Sequence, residues 1–146
     1  MTIVFELSTD PDIVATPLAA GWPATTARYG WNQVAATNLG LPGGGTIVAI
    51  AHGNNEEIGN ADPGTIDIDA AIFLALIQGN LQPGQFPAAI YISACGQDIA
   101  GFAAGVRLLA EQNQIWAATR IYGHHAPVGG PVPPPTPGSL DWVQIF

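Results

Sequence analysis

The amino-acid sequence predicts a single α/β domain: a doubly wound, mostly parallel sheet with helices on both faces, a three-layer sandwich. Three observations predict it. Short apolar runs rich in β-branched residues recur at Thr2–Leu7, Thr46–Ala51, Ala89–Ile92 and Ile115–Tyr122, each with the length of a buried strand. Longer amphipathic stretches lie between several of them, the alternation that parallel strands joined by crossover helices require. The chain has 146 residues, enough for one sizeable core, and shows no internal repeat, so residues 1–146 read as one domain.

Thr2–Leu7 (TIVFEL) is the first strand, stopped by Ser8-Thr9-Asp10-Pro11. Asp12 to Pro23 mixes apolar residues with Pro17, Gly21 and Pro23, and no regular element is assigned there. Ala24–Asn38 reads as a helix capped by Thr25 or Thr26, with Tyr29, Trp31 and Val34 on its buried face and Asn38 or Gly40 at its end. Leu41–Gly45 then re-enters the sheet. Its glycine triplet precedes the strand and no Gly-Lys-Ser/Thr follows, which argues against a phosphate loop.

Asn54–Thr65 is a polar loop or hairpin turning at Asp62-Pro63-Gly64. Ile66–Gln78 reads as a helix with Asp67 or Asp69 as N-cap, a stripe of Ile72, Phe73, Leu76 and Ile77, and Gly79 closing it. Asn80–Pro87 leads into the strand that ends at Cys95, and Asp98–Gln112 is the next helix, with Phe102, Val106 and Leu109 on one face. Gly101 and Gly105 inside that helix cost about 1 kcal/mol each against alanine, which close packing on the sheet would explain. Ile115–Tyr122 is a further strand. Pro127–Gly138 cannot be helix and reads as a stiff, extended surface excursion, with a ligand for a proline-recognising partner as the functional alternative. Leu140–Phe146 is apolar enough to be a docked final strand.

Composition narrows the function classes. Hydrophobic residues make up 48 % of the chain and charged residues 10 %, the balance of a folded protein. The formal charge is −8, lysine is absent, and Arg28, Arg107 and Arg120 are the only strong bases. Nucleic acid and anionic membrane are therefore poor partners, since neither finds a cationic footprint. A single cysteine forms no internal disulfide and leaves the redox compartment open. No apolar run reaches membrane-spanning length and the first residues lack a basic leader segment, so the expectation is a cytoplasmic protein, with leaderless export left open.

The chemistry centres on Ala88–Gly96 (AAIYISACG). Cys95 stands between the carboxyl end of a strand and the start of a helix, where amide dipoles favour a thiolate and open α/β sheets bind ligands. Thr46–Ala51 followed by His52-Gly53 has the same design, so two parallel strands would bring His52 and Cys95 to one sheet edge. A free thiol at neutral pH is only a few per cent thiolate, and an adjacent imidazole raises that fraction or removes the proton during attack. The backbone N–H groups of Gly53 and Cys95 are candidate oxyanion donors, glycine allowing close approach of substrate. The 43 residues from His52 to Cys95 leave room for a loop, a crossover helix and the second strand.

Plainer readings stand beside these. A lone cysteine after a strand often serves as a small buried hydrophobe. His124 and His125, also at a strand end, are candidates for lining the substrate cleft or simply part of a polar loop. A zinc site from His52, Cys95 and one of that pair lacks close ligand spacing, so no metal is assigned. Ser93 and Gln97 replace the glycines of a Gly-X-Cys-X-Gly elbow, which excludes that motif.

A hydrophobic strand ending in His-Gly, a crossover helix, and a second strand ending in Ala-Cys resemble the caspase-like cysteine peptidases. That group includes caspases, separase, legumain, clostripain-type enzymes and the autoprocessing domains of large bacterial toxins. Caspases carry Gln-Ala-Cys-X-Gly with the histidine about 50 residues upstream. Ser93-Ala94-Cys95-Gly96-Gln97 keeps Ala-Cys and departs at both outer positions. The resemblance spans Thr46 to Tyr122 and is nearer to the bacterial members. It implies an endopeptidase acting on a protein or peptide, with His52 as base, Cys95 as nucleophile and no cofactor or catalytic metal. A catalytically inactive caspase-like module that binds a protein partner is the alternative. Ser93 stands where caspases place a glutamine that helps bind an acidic substrate side chain, so it is a substrate-binding candidate and the cleavage preference stays open. The resemblance also implies a switch, expected here as protein association or ordering of Asn54–Thr65 and Pro127–Gly138. Three dispersed arginines would not neutralise an inositol phosphate.

Overall fold

Twelve short elements make up the computed structural model, which describes residues 1–62, 64–125, 130–136 and 140–145. The first half contains β1 (Thr2–Glu6), α1 (Pro11–Val14), β2 (Thr25–Tyr29), α2 (Trp31–Ala35), β3 (Thr46–Gly53) and β4 (Ile58–Gly59). The second half contains β5 (Asp67–Ile68), α3 (Ala70–Gly79), β6 (Ala89–Ala94), α4 (Ile99–Gln112), β7 (Arg120–Gly123) and β8 (Val143–Gln144). Strands β2, β1, β3, β6 and β7 lie in that order, all parallel, and β8 joins β7 antiparallel. β4 and β5 extend antiparallel from the carboxyl end of β3. The expected α/β architecture, with a mostly parallel sheet, is present. Among the described residues no helix is long and apolar enough to cross a membrane.

The winding direction reverses at β1. The chain steps from β1 to β2 in one direction and from β2 through β3 and β6 to β7 in the other. Crossovers of one hand then put the β1–β2 connection on one face and the later connections on the opposite face. The two cores follow this division. Val34 of α2, Phe73 and Ile77 of α3, and Phe102 and Val106 of α4 pack on Phe5, Ile47, Ala49, Ile90 and Ile92. On the other face, Ile13 of α1 packs with Val4, Val48, Ile50, Tyr91 and Val132. Side chains from each strand alternate between these two sets, as a period of two requires. The second helical layer differs from expectation: α1 has only four residues, and irregular chain around Leu18, Trp22, Val132 and Trp142 covers most of that face.

Several boundaries also differ. Residues 24–38 are not one helix but β2 followed by α2. Thr25 and Tyr29 suit a strand beside β1, where Ile3 pairs with Ala27 and Phe5 with Tyr29. Gly30 then starts α2, its N–H donating to Oε1 of Gln33 at 3.1 Å. α1 lies at the edge of a segment to which the sequence assigns no element, opened by Pro11 at its first turn. Within Ile115–Tyr122 only Arg120 and its successors pair, because Gln114 and Trp116 sit at φ 58° and 60°. Trp116 turns inward and its Nε1 donates to Oε1 of Gln78 at 2.8 Å. The final strand shrinks to Val143–Gln144.

The proline-rich segment is not an excursion where it is described. Val132 is fully buried, a gain of roughly 1.5 kcal/mol or more for a valine side chain. Its backbone pairs with Pro17 and Ala19, and Nε1 of Trp22 donates to its carbonyl at 3.1 Å. Residues 127–129 and 137–138 of that stretch lie outside the described residues. Asp69 caps α3 as expected, accepting from the amide of Ile72 at 2.8 Å. Gly101 faces Asp98 and Asn55 and Gly105 faces Ala70 of α3, so neither packs on the sheet.

Candidate active site

Register brings the two candidate residues together. Ala51 and Ala94 are the last paired residues of β3 and β6, and His52 and Cys95 are one step beyond each. The ladder continues through that step, since the Cys95 amide donates to the Ala51 carbonyl at 3.2 Å. Both residues follow the alternation of Val48, Ile50 and Tyr91, so they share the parity of the face covered by α1. They stand at the carboxyl edge of the sheet, beside the reversal point between β1 and β3 where doubly wound folds bind ligands.

The chain leaving β1 completes the cluster. Nε2 of His52 lies 3.1 and 3.0 Å from the two carboxylate oxygens of Asp12 and 3.4 Å from Oδ2 of Asp10. An ionised carboxylate only accepts, so Nε2 carries the proton and Nδ1 holds the ring's free lone pair. Among the described residues no hydrogen bond reaches Nδ1. The hydrogen bond from His52 holds the Asp12 carboxyl below its usual value, against a small desolvation that opposes it. Asp10 is anchored in turn, its Oδ2 accepting from the Ala61 amide at 2.8 Å, while Asn60 bonds to Thr9. The segment after β1 is thus tied to the β4–β5 hairpin, and the hairpin walls a cleft.

A cavity of about 270 Å³ opens there, lined by His52, Gly53, Glu57, Asn60, Asp67 and Cys95 among others. Cys95 is exposed to solvent. The cleft wall removes part of its hydration, and this burial, followed by the negative charge of Asp12, pushes the thiol pKa up. Among the described residues no hydrogen bond joins Cys95 Sγ to His52.

The remaining sequence candidates separate into used and unused groups. The Cys95 amide is committed to Ala51, so it does not point free into the cleft as an oxyanion donor. Gly53 lines the cavity, but its lack of a side chain answers a packing need: a Cβ there would lie 2.6 Å from Cγ2 of Ile58 and 2.7 Å from the Glu57 carbonyl. The amides of Asp98 and Ala100 at the start of α4 donate to the carbonyls of His125 and His124, at 3.2 and 2.9 Å, not to Cys95. Ser93 is 4 % exposed and His124 2 %, and neither lines the cleft. The His124 ring accepts the Ala94 amide on Nε2 at 3.2 Å, which braces the end of β6. His125 is exposed and lies 3.8 Å from Asp98.

Asp10 and Asp12 complete the cluster around His52 and are the residues that sequence reasoning misses. The signal is present in retrospect, because Ser-Thr-Asp-Pro-Asp follows the first strand as His-Gly and Cys-Gly follow theirs. With His52 they form, among the described residues, a group whose ligand atoms all lie within 4.8 Å and would be close enough to hold a metal ion. The direct contact of Asp12 with His52 uses those same atoms. No protein-family model matches this chain, and no curated protein or solved structure does.

Proposed function

We propose that the chain is a cysteine endopeptidase in which Cys95 is the nucleophile, His52 the base and Asp12 the group that orients the base. The observation that carries the reading is the side-by-side exit of His52 and Cys95 from paired strands into one cavity. The fixed tautomer of His52 supports it, because a base held by a third group and bearing a free lone pair is the general logic of such triads. The resemblance of His52-Gly53 and Ala94-Cys95-Gly96 to the caspase-like peptidases assigns the same two roles. In the first step the Cys95 sulfur bonds to the scissile carbonyl carbon as His52 takes the thiol proton. That proton passes to the amine as the C–N bond breaks. Water then attacks the thioester, releasing the acid and returning the proton to sulfur.

One observation favours the alternative, a caspase-like module without activity that binds a protein partner. The upward-shifted thiol and the committed Cys95 amide describe a resting site that disfavours the thiolate and lacks one oxyanion donor. A thiol-reactive peptide probe separates the two. The enzyme labels in the native state, loses labelling in Cys95→Ala and slows by about 100-fold in His52→Ala. Labelling of denatured protein with none of native protein overturns the catalytic reading.

A further inference from the structure

We propose that a second cavity, beyond the ends of β1 and β2, is a ligand site for an uncharged O–H or N–H donor carried on a flat apolar body, with Glu6 as its acceptor. The site is separate from the Cys95 cleft and does not depend on the peptidase reading. Its volume of about 460 Å³ falls within the roughly 300–1,000 Å³ of small-molecule sites. Glu6, Ser8, Thr9, Val14, Gly30 and Trp31 are among its lining residues. Glu6 ends β1 and Gly30 follows β2, so the cavity lies at the carboxyl edge of the sheet, where α/β folds bind ligands. Ser8 and Thr9 both bond to Asn60, a residue of the cleft lining, and this contact divides the two spaces.

Three features of the lining point to an occupant. Glu6 is 8 % exposed and gives Oε2 to Arg28, but among the described residues its Oε1 accepts no hydrogen bond. A buried acceptor left without a donor is costly. The one fully enclosed side-chain atom of that kind among the described residues is Thr2 Oγ1, so Glu6 Oε1 keeps its access to solvent, through the cavity that Glu6 lines. Trp31 is the second feature. Trp22, Trp116 and Trp142 each donate the indole N–H within the protein, whereas Trp31 Nε1 has no acceptor among the described residues. Trp31 packs partly on the core, and with Val14 it gives the cavity apolar surface. Gly30 is the third. Its φ of −77° suits any residue, and the only atom beyond its chain neighbours within 4 Å of a Cβ there is Glu6 Oε1, at 3.7 Å. Neither conformation nor crowding requires glycine, and a side chain would stand in front of the free oxygen. The Arg28 guanidinium already balances the Glu6 charge, so a second cation gains little and an anion is repelled by the open oxygen. A neutral donor fits both conditions.

Phenol and anisole test this on the intact chain, because their rings match and only phenol carries the donor. The readout is the indole N–H signal of Trp31 in a nitrogen–proton correlation spectrum, identified by its loss in Trp31→Phe. Phenol is expected to shift that signal saturably while the indole signals of Trp116 and Trp142 stay in place. It should bind about tenfold or more tightly than anisole, benzoate or benzylammonium. Gly30→Val leaves the Glu6–Arg28 pair in place and should weaken phenol binding by about tenfold or more, with the far-ultraviolet circular dichroism of the parent retained. N-acetyltyrosinamide bound more tightly than phenol places the donor on a polypeptide, and phenol bound as tightly places it on a free molecule; either result upholds the site. Equal binding of phenol and anisole, no saturable shift of the Trp31 signal, or a phenol affinity unchanged in Gly30→Val overturns it. The first two of these outcomes are read on the unmodified chain.

Discussion

The Cα of Gly96 lies against the carbonyl of Gly53, so that a Cβ on Gly96 would stand 1.5 Å from that oxygen. These are the residues that follow Cys95 and His52. One backbone contact therefore closes the ends of β6 and β3 beside Cys95 and His52. Neither glycine has a positive φ. Glycine is needed here because two backbones touch, and not because of an unusual conformation.

Gly96→Ala is expected to destabilise the fold by about 3 kcal/mol or more, since the obstructing atom is backbone and cannot rotate away. Gly44→Ala is the control. Gly44 has φ 81° with nothing within 4 Å of a new Cβ, so alanine there meets no neighbour and costs only the strain of an L-residue at positive φ, about 1–2 kcal/mol. Urea denaturation of both variants measures the contrast, with Cys95 labelling as a second readout for Gly96→Ala. Equal losses would remove the steric argument.

Tyr91 carries a prediction for alkaline pH. Its ring stacks on Tyr122 at 4.3 Å and meets Trp22 and Trp142 edge-on. Burial, then the Tyr122 phenol, raises its pKa from 10.0 to about 12. A raised folded-state value means that the stabilising contribution is complete below 10 and is lost as pH rises through 12. Ultraviolet difference titration should show one phenol ionising near that upper value in the native chain, absent in Tyr91→Phe. The denaturation midpoint should fall above pH 10 in the parent and less in the variant. Titration of every tyrosine near its ordinary value would contradict the stacked burial.

The legible parts of the molecule are those set by local pattern. Ile47–Ile50 and Ile90–Ile92 read as strands, Asp69 as a cap, and the 43-residue separation of His52 and Cys95 equals the register offset of their strands. What was hidden depends on strand order. Asp12 reaches His52 only because β1 lies beside β3, and no local feature of Asp10-Pro11-Asp12 reports that neighbour. Thr25–Tyr29 is ambiguous because five residues on a sheet edge carry little periodicity of either kind. Val132 sits in a run whose composition resembles a surface linker, and its burial comes from Trp22 and Leu18, over 100 residues away. Ser93 and His124 show the opposite error. Nearness to a strand end in sequence does not say which side chains reach solvent, and these two face inward.

Asp12 acts on Cys95 and on His52 in opposite senses, and that opposition gives the sharpest test of the site. Burial first and the Asp12 charge second raise the Cys95 pKa above 9.0, so alkylation by iodoacetamide should show a midpoint above that value. Asp12→Asn removes the second cause. The midpoint should move down and alkylation at neutral pH should quicken severalfold. The same substitution deprives His52 of the ionised partner that keeps its proton on Nε2. Hydrolysis of a peptide substrate should therefore fall by about tenfold or more while the thiol becomes easier to alkylate. A general loosening of the cleft would move both rates in one direction. Faster alkylation with slower hydrolysis marks Asp12 as a positioning residue for the base, and a parallel fall in both rates would remove it from the mechanism.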